Sequence, residues 1–266
     1  MIHEREQPQE RQAASAIGEV EQAAQEYALS LDDGWRRLQL DIKRGLDLGM
    51  ATAGAILLAP WIALMMILIK IETPGPALFR QRRLGRFGRV FTLYKLRSMQ
   101  WGARVALNPD GSTCVVKGDS RVTRIGRVMR TLGLDELPQL VNVVKGEMSL
   151  IGPRPDQDFH LHFYRDGDYR KLALRPGMTS LGQVSGRNAI AWKQRTQFEI
   201  QYVEHFSLWL DAKIVMRTLF VVLSGLGGYN EENEESASAQ KRSDSDPVDS
   251  PAPESGDADA ACHDCP

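Results

Sequence analysis

Asp135 and Glu136 stand side by side in a chain of 266 residues, and arginines flank them on both sides in sequence. Arg121, Arg124, Arg127 and Arg130 precede the pair at helical spacing, and Gly152-Pro153-Arg154-Pro155 follows it. Guanidinium groups near a carboxylate keep it ionised, and they also bind phosphate oxygens in bidentate fashion. A carboxylate can itself attack phosphorus and form an acyl phosphate. A second carboxylate beside it suits Mg2+, a hard cation that takes oxygen ligands from protein and substrate phosphates together. The run 135–144 predicts a helix, with Pro138 tolerated near its first turn. Adjacent acids there point about 100° apart, which serves two roles better than one. The plainer reading is that acids open a helix because they complement its dipole and cap its free amides. The surrounding arginines favour phosphate chemistry. Prolines on both sides of Arg154 stiffen its backbone into a mount for one guanidinium, with a structural turn as the alternative.

The elements that must carry these groups are short. Residues 78–81 and 90–95 predict two strands joined by a Gly- and Arg-rich loop over 84–89, and 125–132 predicts a helix. Arg175-Pro176-Gly177-Met178-Thr179 and the stretch from Gly182 through Gly186-Arg187-Asn188 predict polar, glycine-punctuated loops, where ligand contacts often sit. Residues 192–210 and 212–223 predict amphipathic helices. Phe198, Tyr202, Phe206, Trp209 and Phe220 on them suit a core and a membrane interface equally well.

Residues 48–69 carry no charge. A run of about 22 residues can span a bilayer as a helix. Pro60 sits near its middle, where it removes one backbone hydrogen bond and crowds the preceding turn. The halves it would leave are roughly 18 and 14 Å long at 1.5 Å per residue, too short to cross about 30 Å of hydrocarbon. Arg36, Arg37, Lys43 and Arg44 precede the run, and Lys70, Arg80, Arg82, Arg83, Arg86 and Arg89 follow it. Basic residues mark the cytoplasmic side, and here both ends qualify. A helix that enters and leaves by one leaflet satisfies both, and a spanning helix with a proline kink is the competing topology. Lys43 and Arg44 lie where the chain would meet lipid headgroups. There they could hold a lipid phosphate or anchor the helix by snorkelling.

The ends differ from the middle. The tail beyond 230 holds 11 acids against two bases and no aromatic residue, a composition that stays disordered because it buries too little apolar surface. The first 30 or so residues are rich in Glu, Gln and Ala, with a weak helical stripe at Ala14, Ile17, Val20, Ala24 and Tyr27. The middle, 44–230, holds 14 acids against 26 bases, a net charge of about +12. Such a core suggests an anionic partner. Nucleic acid is disfavoured because the bases cluster beside the apolar run without an ordered aromatic pattern. Three cysteines give no disulfide framework. Cys262-His263-Asp264-Cys265 is half of a metal site without a second ligand pair.

In order along the chain stand Lys43-Arg44-x-x-Asp47, the proline-interrupted apolar run, Tyr94-Lys95-Leu96-Arg97-Ser98-Met99 and Leu134-Asp135-Glu136-Leu137-Pro138-Gln139-Leu140. Gly152-Pro153-Arg154-Pro155, Arg175-Pro176-Gly177 and Gly186-Arg187-Asn188 follow. Each motif is weak alone; together and in this order the chain resembles the bacterial sugar transferases, the monotopic polyprenyl-phosphate phosphoglycosyl transferases. The resemblance implies a mostly helical α+β fold with a re-entrant membrane helix over 40–72. It places a catalytic domain over 73–228, with a short β-hairpin and interfacial amphipathic helices, between an extension at 1–39 and a disordered acidic tail at 229–266. It implies transfer of a sugar 1-phosphate from a UDP-sugar to polyprenyl (undecaprenyl) phosphate, with release of UMP, at the cytoplasmic face of the bacterial inner membrane. That reaction initiates polysaccharide or glycoconjugate assembly. By the same resemblance Asp135 is the nucleophile, Glu136 the Mg2+ ligand, and Arg130 and Arg154 contact phosphate. Lys43 and Arg44 contact the lipid phosphate or headgroups, Pro60 breaks the membrane helix, and Asp211 matches an acid of the closing helix. One departure is visible: Ala59 precedes Pro60 where the family often has serine, whose hydroxyl could satisfy a freed carbonyl. A membrane-anchored scaffold acting through the acidic tail is the reading from another class. Homo-oligomerisation and the identity of the sugar stay open.

Overall fold

A computed structural model describes residues 8–103, 118–165, 167–185 and 192–223, with side chains described from residue 17 onward. Cys114, the Gly186-Arg187-Asn188 loop and the acidic tail with Cys262 and Cys265 lie outside the described residues. The chain is mostly helical. Helix α1 (Pro8–Ser30) leads into α2 (Gly34–Glu72), then an antiparallel hairpin of β1 (Leu78–Leu84) and β2 (Val90–Leu96). Helices α3 (Arg124–Leu132) and α4 (Gln139–Lys145) follow, then β3 (Ser149–Ile151), which pairs in parallel with β4 (Gly177–Thr179). The chain closes with α5 (Leu181–Ser185), α6 (Trp192–Glu204) and α7 (Leu208–Leu223).

Helix α2 is the frame. At 39 residues it runs about 58 Å at 1.5 Å per residue. Asp33 caps its start by accepting from the Arg36 amide. Its inner stripe follows helical spacing: Ala51, Ala55 and Leu58 pack with Phe91, Leu93, Leu140, Val143 and Met148. Further along, Ile62, Met65, Met66 and Ile69 pack with Ala77, Leu96 and Met129. Its outer face, with Leu48, Met50, Ile56, Leu57, Trp61, Leu64, Ile67 and Ile71, is exposed. Only 6% of its most apolar 18-residue window is buried in the protein, which excludes a soluble core helix. An exposed apolar surface of this extent marks a membrane or partner interface.

The two halves expected on either side of Pro60 are one helix in the structure. Proline deletes only its own bond to the Ile56 carbonyl, and the packing of the inner stripe before and after it holds the axis together. Pro60 itself lies on the exposed face. The helix also begins at Gly34, inside the stretch assigned to the extension.

Both ends of α2 are tied to the same domain. Near its start, Lys43 Nζ lies 2.7 Å from Asp211 Oδ2 on α7, with both side chains buried. Asp47 accepts from Ser149 Oγ at 2.7 Å and the Leu150 amide at 3.0 Å. At its far end Glu72 accepts from the Arg124 and Ile125 amides at 2.6 and 3.1 Å, so one helix caps the next. Arg97, also buried, donates to the Thr73 and Pro74 carbonyls at 2.8 and 2.6 Å.

Other boundaries shift for identifiable reasons. The strands run longer than their hydrophobic stretches, because Arg82, Arg83 and Leu84 continue the pairing with Thr92, Phe91 and Val90. The last two helices divide earlier than expected, at residues 205–207, where Ser207 Oγ accepts from the Leu210 amide and caps α7. That break sorts the aromatics: Tyr202 and Phe206 enter the core, while Trp209 and Phe220 on α7 stay exposed. Helix α1 is packed rather than loose, with Ala24 fully buried beside Leu84 and Leu172.

Removing the carboxylate of Asp211 strands a buried ammonium and a buried phenol, since Tyr202 Oη also donates to it at 2.6 Å. We expect Asp211→Ala to cost about 3–5 kcal/mol of unfolding free energy, measured by denaturant unfolding in detergent. Lys43→Met combined with Asp211→Leu should recover most of that loss. Equal stability of wild type and the single variant would contradict the assignment.

Candidate active site

The acid pair does not sit in the first turn of α4. Leu134–Glu136 form a 3-10 turn that starts from Gly133 in the left-handed conformation (φ 70°). Helix α4 begins only after Pro138, whose missing N–H cannot join a ladder and is harmless at a helix start. The acids therefore stand on a tight turn between α3 and α4, both half-buried.

Three elements aim cations at this turn. From β2, Lys95 Nζ lies 2.7 Å from Glu136 Oε1. From the Gly152–Pro155 turn, Arg154 Nη2 lies 3.0 Å from the same oxygen. From α3, Arg130 donates through Nε to Ser98 Oγ at 2.8 Å and stands close enough to lower the Asp135 pKa. Of the four arginines at helical spacing, Arg130 alone is shown acting on the acids. Arg121 pairs with Asp119 at 2.6 Å, and Arg124 and Arg127 are exposed.

The close approaches that set this geometry are glycine-dependent. A Cβ on Gly126 would sit 2.0 Å from the Ser98 carbonyl oxygen, so α3 can lie on the end of β2 only with glycine there, and this seats Arg130 beside Ser98. A Cβ on Gly177 would sit 2.1 Å from the Gly152 amide nitrogen. The Gly152-Pro153-Arg154-Pro155 and Arg175-Pro176-Gly177 segments thus clasp each other, with the Gly177 amide donating to the Pro153 carbonyl at 2.9 Å. The second segment supports the mount of Arg154. Asn142, fully buried on α4, donates to the Thr92 carbonyl at 2.7 Å and accepts from the Tyr94 amide at 3.2 Å. It fixes α4 to the strand that carries Lys95.

The two acids have different electrostatics. Crowding by protein atoms alone would push Glu136 up; Arg154 and Lys95 together outweigh it and hold the carboxyl well below the usual range. Asp135 makes no ion pair among the described residues. Crowding raises it, Lys95 pulls it back most, and the charge of Glu136 raises it further. One carboxylate is committed to cations; its neighbour has no ion-pair partner and a raised pKa.

Several contributors carry little signal in the sequence. Lys95 stands inside the Tyr94–Met99 motif with nothing local to give it a role. Arg83 stands near Arg154, donates to the Pro155 carbonyl at 2.9 Å, and is lowered to about 10 by burial and then by Arg154. Asp156, next after Pro155, is buried with Lys171 at 2.6 Å and Tyr164 at 2.9 Å. Glu199 on α6 is buried near Arg154, with Ser180 Oγ at 2.6 Å. Only the adjacency of Asp156 to the Arg154 turn was a sequence signal.

Lys43, expected at the headgroups, turns its ammonium inward to Asp211. Burial decides this, because an unpaired ammonium there would cost several kcal/mol. Arg44 donates to the Val143 and Val144 carbonyls at 2.8 and 3.2 Å, at the C-terminal end of α4. No group of three or more His, Cys, Asp or Glu side chains gathers as a metal site among the described residues. The carboxylates of Asp135 and Glu136 are hard oxygen donors of the kind Mg2+ takes from protein and substrate phosphates together.

The family described as bacterial sugar transferase matches residues 38–225. Over 201 residues the chain is 43% identical to the UDP-N-acetylgalactosamine-undecaprenyl-phosphate N-acetylgalactosaminephosphotransferase of Aeromonas hydrophila, covering 70% of this chain and 44% of that protein. It is 42% identical over 202 residues to the UDP-glucose:undecaprenyl-phosphate glucose-1-phosphate transferase of Caulobacter vibrioides, covering 73% of this chain and 74% of the relative. It is 38% identical over 198 residues to the exopolysaccharide production protein ExoY of Rhizobium meliloti, covering 70% and 88%. The chain thus spans less than half of the first relative and most of the other two.

The charge arrangement predicts a titration. Glu136 is depressed, so its ion pairs stabilise the fold fully above about pH 4.3 and are lost as pH falls toward its folded value. Lys95→Met should cost about 1–2 kcal/mol at neutral pH, shrinking below about pH 4. In carboxyl 13C NMR it should move Asp135 and Glu136 upward together. Unmoved carboxyl titrations would contradict the arrangement.

Proposed function

The chain belongs to the bacterial sugar transferase family, and on that premise we propose that it transfers a sugar 1-phosphate from a UDP-sugar to polyprenyl phosphate, the first step of a polysaccharide or glycoconjugate. The observation that carries the mechanism is the division of labour within the acid pair: Glu136 occupied by Lys95 and Arg154, Asp135 without an ion-pair partner among the described residues.

Asp135 attacks the phosphorus that carries the sugar. The bond from that phosphorus to the bridging oxygen breaks, and UMP leaves with the electron pair. The aspartyl phosphosugar that results is an acyl phosphate. A phosphate oxygen of the polyprenyl phosphate then attacks the same phosphorus, and the Asp135 carboxylate leaves unchanged. Lys95 and then Arg130 oppose the rise in the Asp135 pKa that burial causes. Arg154 is held by Glu136 where its remaining N–H donors can take phosphate oxygens. Glu136 would hold Mg2+ through the oxygen that Lys95 and Arg154 do not take, and the bound ion would supply charge neutralisation at the leaving group. The positions of Arg130 and Arg154 support their assignment as phosphate contacts.

We also propose that α2, as one continuous helix, rests its apolar outer face in a single leaflet without crossing it, which makes the protein monotopic at the cytoplasmic face of the bacterial inner membrane. Its two ends pack on one domain, and its apolar outer face runs between the exposed charges Arg37 and Asp41 at one end and Lys70 at the other. In a helix that crosses a bilayer, one of those ends would have to separate from the domain. The exposed Trp209, Met216, Leu219 and Phe220 of α7 belong at the same interface. Arg44 remains a candidate headgroup contact.

Purified protein in detergent with Mg2+ and a panel of UDP-sugars should release UMP. Asp135→Asn should lower the rate at least about 1,000-fold, and chelation of divalent cations should suppress it. Equal rates in wild type and Asp135→Asn would sink the mechanism. The topology has a separate test, with single cysteines at the exposed positions Arg37 and Arg82 in a background without native cysteines. Both should react with an impermeant reagent only after the cytoplasmic side is opened; labelling at Arg37 from outside would show a spanning helix.

A further inference from the structure

A cavity of about 490 Å3 opens between α1, the first turns of α2 and the segment 173–175. Its lining contains none of Lys95, Arg130, Asp135, Glu136 or Arg154. Five arginines and Lys43 line it; Arg36, Arg37 and Lys43 are engaged by the Val203 carbonyl, Asp32 and Asp211, and the other three come from three separate segments: Arg44 of α2, Arg86 of the hairpin turn and Arg175. They are near enough to repel one another. Burial lowers the pKa of Arg175, and Arg44 lowers it further; burial lowers Arg86, and Arg175 lowers it further. None of the three makes an ion pair among the described residues.

Two of the nearby acids are committed elsewhere, Asp47 to Ser149 and the Leu150 amide, and Asp32 to Arg37. Asp41 is exposed on the rim. The plain role of Arg44 and Arg175 is to hold the carbonyl end of α4, which they do through Val143, Val144 and Gly146. That role does not require Arg86, which comes from the hairpin turn and donates through Nε to the Ala173 carbonyl at 3.2 Å. Each guanidinium has five N–H donors, so donors remain on all three. Six cations against the three carboxylates Asp32, Asp41 and Asp47 leave the lining with an excess of positive charge, which an entering anion would offset.

The opposite wall is apolar, with Ala28, Leu29 and Leu31 of α1. The volume lies within the range of about 300–1,000 Å3 typical of small-molecule sites, larger than a bare phosphate needs. All of α1 precedes residue 38, where the family match begins, so this wall lies outside the matched segment.

We propose that this cavity is a second anion site, separate from the acid pair, which binds a phosphate ester whose attached group rests on α1. The ester is either the headgroup of a membrane phospholipid, since exposed apolar residues of α2 run past it from Trp35 and Leu38 through Ile42 to Leu46 and Leu48, or a soluble organophosphate. The assignment holds whatever the acid pair turns over.

Equilibrium dialysis of radiolabelled glycerol 3-phosphate against the full chain in dodecyl maltoside tests it, in an Arg154→Gln background that weakens phosphate binding at the acid pair. Saturable binding near one per chain is expected. Arg86→Gln should weaken it at least tenfold. Leu29 is exposed at the rim (71%), so Leu29→Glu should leave the fold intact and weaken binding severalfold by placing a carboxylate there, while Leu29→Gln should not. Added phosphatidylglycerol that displaces the probe identifies a lipid headgroup as the natural occupant; unchanged binding identifies a soluble ester. No saturable binding of the probe and no retained phosphatidylglycerol, or binding unaffected by both Arg86→Gln and Leu29→Glu, overturns the proposal.

Discussion

The contact on which the rest of the site depends is the three-way meeting of Glu136 with Lys95 and Arg154. Two adjacent carboxylates in a half-buried turn repel each other, and the simplest relief would be for one of them to take up a proton. Here two cations from β2 and the Gly152–Pro155 turn settle on a single oxygen of Glu136. That fixes Glu136 as an anion and leaves Asp135 ionisable but without an ion-pair partner. It also sets a demand on the fold, because a strand, a clasped turn and a 3-10 turn must meet within hydrogen-bond distance.

The fold meets that demand by building inward from α2. The helix gives its inner stripe to two clusters, one under β2 and α4 and one under α3. Its polar ends are tied down by Asp47 and Lys43 at one side and by Glu72 and Arg97 at the other. What remains exposed is apolar, so the surface that suits a lipid is also the back of the frame that holds the site. Chemistry at a membrane surface needs the reactive turn at a fixed height above the lipid, and a helix locked to its domain at both ends supplies a fixed reference.

Much of this was legible in the sequence where local rules decide. The hairpin followed from alternation and its Gly-rich turn, and α3 from its apolar spacing, with Thr123 capping it through the Gly126 amide. The acids and Arg154 stood out because proline and charge mark such positions. Long-range choices were not legible. Nothing near Lys43 says that its ammonium turns inward, since its partner Asp211 is 168 residues away. The role of Lys95 depends on a strand meeting a turn 41 residues later. The local cost of Pro60 points to a break, whereas packing on both sides of it keeps the helix whole. The mutual clasp of Gly152 and Gly177 turns the apparent ligand loop at Arg175-Pro176-Gly177 into a support for the mount of Arg154.

The central claim is that Asp135 becomes covalently attached to the phosphosugar. The most direct measurement is mass spectrometry of the protein quenched after incubation with a UDP-sugar and Mg2+ in the absence of acceptor lipid. The account predicts a mass increase of one sugar phosphate, located by peptide fragmentation on Asp135, and its disappearance when polyprenyl phosphate is added. An unmodified protein under conditions that form the lipid product, or an adduct on another residue, would contradict it.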